Sequence, residues 1–437
     1  MTRRSKRKGN GVRASLGLLA TLLAAPSAGA QHADHAAMAG MAMDTLTSAP
    51  TRPSRPAADS ARVADSLLKV CAPHKRHSIN AYAGCIGDGL AGLSSAGNIA
   101  LSLGTLDYLV HADRSLIGSG HPLAHALGYA VRSTPATASL LLAQCDDRYQ
   151  SGCYHGILQR YFDARMGMPI AQSVLVAPCD AFRGNAEQSR LFDCLHGTGH
   201  GLMMYRRYDA KAALADCDRL AADWDQRSCY SGVFMEHNMG VRMRFFGDAS
   251  AGMHRHSMPS ASVTLFKPDD LHYPCDVTPV RYRPECYELQ TDLILPAVKQ
   301  DYRKAAEVCD GARSADLVRM CYLGLGRNAS GAAVFDFGGI RERCEKSSPS
   351  GRPFCYEGAA RNLAYAPSEL ERGVSFCRSF AAGDVRSRCW EGLGLQVAGF
   401  FADMTSRQKA CLSKIAADVA ACEEGAGLTA NQMPREE

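Results

Sequence analysis

Beyond residue 30, the 437-residue chain contains no apolar run long enough to cross a bilayer, which takes about 20 residues. It also has little net charge once the first thirty residues are set apart. There are 49 Lys and Arg against 44 Asp and Glu, a formal +5, but six of the basic residues and none of the acids precede residue 31. The remainder is close to neutral, so it offers no broad basic surface to nucleic acid or anionic lipid. Several chemistries lack their motifs. There is no CxxCH for haem attachment, no HExxH, no GxSxG, and no GxxxxGK followed by Ser or Thr. No strand pattern precedes "HGTGHG" (196–201), so it is not a dinucleotide loop.

What the first thirty residues do contain is a basic stretch, the apolar run "LGLLATLLAA" and then "PSAGA". Ala28-Gly29-Ala30 is the small-x-small pattern read by signal peptidase, so residues 1–30 are expected to be a secretory signal. Residues 31–63 are rich in Ala, Pro, Ser and Thr and are expected to form a flexible linker. Residues 426–437 read as a tail.

The 18 cysteines form nine close pairs: Cys71/Cys85, Cys145/Cys153, Cys179/Cys194, Cys217/Cys229, Cys275/Cys286, Cys309/Cys321, Cys344/Cys355, Cys377/Cys389 and Cys411/Cys422. An even count in an exported chain favours disulfides, and neighbour pairing is the simplest arrangement. The second members from Cys286 onward recur at steps of 35, 34, 34 and 33 residues. Cys85 and Cys153 lie two steps of 34 apart, and the missing site between them falls at Ser119, with His111 in its partner slot. A 34-residue period signals stacked helical hairpins. The openings "CYHGIL", "CLHGTG", "CYSGVF", "CYLGLG", "CYEGAA" and "CWEGLG" share a glycine three residues after the cysteine. That glycine lets two backbones approach closely, at about 1 kcal/mol of helix propensity. The expected fold is all-α: a disulfide-stapled α/α hairpin solenoid over 64–425, with an insertion around 240–273 where the step lengthens.

The period, the helix pairs and the one bridge per repeat resemble the cysteine-rich Sel1-like repeat proteins, relatives of tetratricopeptide repeats. "CDDRYQSGCYHGILQRYF" (145–162) carries the likeness best, with seven residues between its cysteines. Other pairs are separated by ten or more residues, a departure from that pattern. The resemblance implies a binding scaffold and little chemistry.

The histidines follow the same phase. His155 lies two residues after Cys153, and His196 and His200 lie two and six after Cys194. Counted from Ser119, His121 and His125 are again at plus two and plus six. These positions share one helix face, and stacked repeats align them along one wall. The array therefore predicts a cluster of His121, His125, His155, His196 and His200, with Glu236 and His237 at its edge. Such a set suits zinc, copper or iron, with Glu236 as a candidate catalytic proton-transfer group. Two other readings stand beside it: a metal-free polar groove with histidine acid–base chemistry, and structural histidines filling an inner layer.

"QHADHAAMAGMAMD" (31–44) and "MHRHSM" (253–258, within the insertion) add Met and His, soft donors that favour copper. Each also reads as an ordinary linker or surface loop. Met203, Met204, Met235 and Met239 fall at helical spacing and are expected in the core. The sequence thus points to a periplasmic or extracellular metal-binding protein, with copper ahead of zinc or iron, and a metal-dependent oxidoreductase or hydrolase within its range. The alternative is a repeat scaffold that binds a peptide, glycan or partner protein without metal.

Overall fold

A computed structural model describes residues 57–184, 188–246, 265–333, 335–414 and 418–428. Contacts divide the chain into a unit Met1–Thr47, which lies outside the described residues, and a unit Ser48–Glu437. The expected signal, most of the expected linker with its Met/His stretch, and "MHRHSM" therefore fall outside the described residues. The first helix starts at Ala57, seven residues inside the expected linker.

The described residues form 19 α-helices, α1 to α19, with short 3-10 turns and no strand. Nine disulfides join the nine neighbour pairs, and no described cysteine is free. By closing loops of 8 to 15 residues, each bridge stabilises the fold by roughly 2–3 kcal/mol. Such disulfide density suits an oxidising compartment. No described helix is long and apolar enough to cross a membrane.

The second cysteine of each pair lies in an inner helix, as does the Ser119 site in effect. The inner series is α2 (Ile79–Ser95), α4 (Gly120–Tyr129), α6 (Gly152–Asp163), α8 (Gln188–Tyr205), α10 (Asp223–Phe245), α11 (Arg283–Ala297), α13 (Ala315–Ala332), α15 (Arg352–Leu363), α17 (Asp384–Phe400) and α19 (Val419–Gly425). Each packs on the next. The outer helices α1 (Ala57–Lys75), α3 (Ile99–Ala112), α5 (Ala138–Leu142), α7 (Gln172–Asp180), α9 (Ala210–Cys217), α12 (Tyr302–Asp310), α14 (Phe337–Cys344), α16 (Leu370–Arg378) and α18 (Met404–Lys414) alternate with them. Among the described residues, only the repeat before α11 shows no outer α-helix. There the described residues 265–279, which include the end of the expected insertion and then Cys275, run as coil and turns.

The glycines explain the close stacking. A Cβ on Gly232, Gly324, Gly358 or Gly425, each three residues past its cysteine, would lie 1.9–2.0 Å from the plus-two carbonyl of the preceding inner helix. A Cβ on Gly199, Gly326 or Gly394, at plus five, would lie 1.9–2.2 Å from the carbonyl of the next inner helix's cysteine. Neighbouring inner helices thus touch backbone to backbone at two points, which only glycine permits.

The array also curls back on itself. α17 packs against α8, and the Tyr365 hydroxyl, just after α15, lies 3.4 Å from both Ser151 Oγ and Asp193 Oδ1. The inner helices therefore border a half-open cavity of about 1030 Å³, lined from Gly118 to Arg407. Several plus-two and plus-six side chains face it.

Candidate metal centre

α4, α6 and α8 bring together the five histidines expected from the repeat phase. Ring centroids are 6.1 Å apart for His121–His125, 5.4 Å for His121–His155, 6.0 Å for His125–His155 and 6.4 Å for His125–His200. The tightest group is His155, His196 and His200. Its centroids are 4.5–5.1 Å apart, and one nitrogen from each lies within 4.8 Å of the others. All three side chains are buried, as is His125, while His121 is half-buried. His121, His155 and His196 line the cavity.

Hydrogen bonds fix three tautomers. His121 Nδ1 lies 2.7 Å from the Tyr149 carbonyl, which can only accept, so Nδ1 carries the proton. The Ser231 hydroxyl donates to the Ser228 carbonyl at 2.8 Å. Its oxygen therefore accepts from His196 Nδ1 at 2.6 Å. His200 Nδ1 donates to Glu236 Oε2 at 2.9 Å. When neutral, each of these rings turns an Nε2 lone pair away from its hydrogen bond. His196 Nε2 and His200 Nε2 meet at 3.2 Å. Two ring nitrogens this close share either one proton or, when both rings are neutral, a cation. A tetrahedral ion with bonds of about 2.05 Å holds its donors about 3.3 Å apart, so the group could hold a metal ion. Burial, then the nearby charges of His200, His121 and Arg327, holds His196 well below the usual histidine range, which favours the neutral imidazole a metal requires. Burial also lowers His121.

Glu236 sits behind this pair. Its Oε2 accepts from His200 and from Gln159 Nε2 at 2.7 Å, and its Oε1 accepts from the Tyr208 hydroxyl at 2.7 Å. Burial, then the carboxylate, raises Tyr208 well above its usual range, so the phenol stays a donor. A carboxylate on the outer nitrogen of a ligating histidine fixes its tautomer and raises its basicity.

His237 does not join the five. It is eight residues after Cys229, so it lies some 200° round the helix from plus six. Its Nδ1 is 3.0 Å from Asn238 Oδ1, and burial lowers its pKa. Met203 and Met204 are buried as expected, while Met235 and Met239 are half-buried and line the cavity, Met235 also packing against the core. Ser231, Gln159 and Tyr208 were not expected to matter as supports. Ser231 and Gln159 occupy plus two and plus six and were findable by phase. Tyr208 was not, because it enters from a turn at φ 66°.

Phe192 stacks on His196 at 5.5 Å and Trp224 packs near Phe192, giving this end of the cavity an aromatic flank. On the same wall, buried Asp193 lies beside Ser151 and Tyr365, and burial lifts its carboxyl to about 7. No family model, curated protein or solved structure matches the chain.

Proposed function

We propose that the chain is an exported metal-binding protein whose ion is held by His155, His196 and His200 at the edge of the internal cavity. The observation that carries this reading is the 3.2 Å approach of His196 Nε2 and His200 Nε2, with both Nδ1 protons already committed to Ser231 and Glu236. Three histidine ligands leave a coordination position open, as catalytic sites do and structural ones do not. An all-imidazole set binds first-row metals in the Irving–Williams order, which puts copper(II) ahead of zinc and ferrous iron. A bound ion would supply Lewis-acid or redox chemistry to a small molecule in the cavity, in the range of a metal-dependent oxidoreductase or hydrolase. Glu236 acts through His200 and not on a substrate proton, because donors already engage both of its oxygens. Ser231 does the same for His196. The likeness to Sel1-like repeats enters this reading as one of architecture.

The test is metal affinity by chelator competition. His155→Ala, His196→Ala and His200→Ala should each lose affinity for copper by about a hundredfold or more, and His237→Ala should not. Unchanged affinity in both His196→Ala and His200→Ala would sink the reading. A protein that takes up neither copper, zinc nor ferrous iron would instead be the metal-free scaffold.

A further inference from the structure

The wall of the cavity changes character past the histidines. The plus-six positions of α13 and α15 are Arg327 and Arg361, and both line the same cavity as His121, His155 and His196. Their side chains are 26% and 25% exposed. Asp292 holds Arg327 through a single nitrogen, Nη2, at 2.7 Å. The buried Arg327 Nε meets no acceptor among the described residues. Arg361 reaches over α13 to Glu288, 3.4 Å from its Nη1, and its Nε lies 3.4 Å from Gln396 Oε1.

Some acceptors on this wall are already engaged, although the buried Glu285 Oε2 meets no donor among the described residues. Asp292 Oδ1 accepts from both Arg327 and Asn328 Nδ2. Arg227 occupies Glu285 Oε1 at 2.7 Å. A guanidinium has five donors and no acceptor, so two of them, each tethered by one or two of the contacts above, keep donors for a ligand. Both guanidinium groups line the cavity, where an acceptor-rich ligand can meet them. The carboxylates orient the two guanidinium forks without covering them, and a planar fork matches a carboxylate or phosphate.

We propose that Arg327 and Arg361 anchor the anionic group of the cavity's ligand, a carboxylate or phosphate, across from the histidine centre. This deepens the metal-site reading by naming its substrate class, and it rests on that reading only for what happens at the ligand's other end. Arg327 and His196 line the same cavity, so a ligand seated in it can meet both groups. The aromatic flank of Phe192 and Trp224 gives its middle an apolar surface.

The experiment is calorimetric titration of the full mature chain with succinate and with neutral succinamide, in chelator-treated and copper-loaded forms. Succinate should bind both forms, with succinamide at least about tenfold weaker. Arg327→Gln and Arg361→Gln should each weaken succinate about tenfold or more while copper stoichiometry stays at the wild-type value. Arg327→Lys should fall between, since it keeps the charge and loses the fork. If Arg327→Gln does not fold, Arg361→Gln alone decides. Equal binding of succinamide, no succinate binding to the wild type, or wild-type affinity in the folded glutamine variants would each overturn the proposal. Arginine-dependent binding by a protein that takes up no metal would sustain this proposal while the metal reading fails.

Discussion

Replacing Gly232 by alanine tests whether backbone contact between α8 and α10 builds the histidine centre. The added Cβ would lie 1.9 Å from the His196 carbonyl oxygen and 3.1 Å from the Gly199 Cα. Carbon and oxygen pack no closer than about 3.3 Å, so the helices must separate by more than about 1 Å. Alanine is a better helix former than glycine by about 1 kcal/mol. Overpacking costs about 1–3 kcal/mol, and a backbone obstacle lies at the upper end because it cannot rotate away. The net expectation is a destabilisation of roughly 1–2 kcal/mol. The larger effect falls on the metal. α10 carries both Ser231, which orients His196, and Glu236, which orients His200. Moving it by about 1 Å should cost 10- to 100-fold in affinity. Gly324→Ala is the matched control, with its Cβ 1.9 Å from the Glu288 carbonyl between α11 and α13. It should cost similar stability and leave metal affinity unchanged. Denaturant unfolding and chelator competition read the two effects. A Gly232→Ala protein as stable as the wild type, or one whose metal affinity falls no further than that of Gly324→Ala, refutes the reasoning.

Three further outcomes follow from the same geometry. Ser231→Ala and Glu236→Gln should each lower copper affinity about tenfold or more without removing a ligand, read by the same competition assay; an unchanged affinity in both would mean the tautomers are set elsewhere. Burial lifts Asp193 to about 7 in the folded state, against an ordinary 3.8, so between those values the folded state binds the extra proton and stability falls as pH rises through 7. Asp193→Asn should therefore gain on the wild type as pH climbs from 4 to 8, by at most about 1.4 kcal/mol per pH unit, and parallel thermal-melt profiles would contradict this. Replacing Cys179 and Cys194 together by alanine opens a loop of sequence separation 15 and should cost roughly 3 kcal/mol in denaturant unfolding.

The repeat was legible because two independent signals share a phase. The cysteines mark one point in each hairpin, and the glycines at plus three mark where its inner helix touches the one before. That phase was enough to place His121, His125, His155, His196 and His200 on one wall, even across the repeat where Ser119 replaces a cysteine. It misjudged positions a residue or two out of register. His237 adjoins Glu236 in sequence, but a one-residue step turns 100° round a helix, so Glu236 faces His200 while His237 faces Asn238. The curvature of the array was not legible at all. Closure depends on small rotations summed over many repeats, and it brings Tyr365 to Ser151, 214 residues away. Arg327 therefore reads in sequence as an unremarkable polar residue of a distant repeat, although it shares a cavity with His196.

The most direct test of the metal site is anomalous diffraction at the copper edge from crystals of the mature, copper-loaded protein. The account predicts one strong peak within bonding distance, about 2.0–2.1 Å, of His196 Nε2 and His200 Nε2, with a nitrogen of His155 as the third ligand. A peak elsewhere, or none between these two nitrogens at full copper loading, would contradict it.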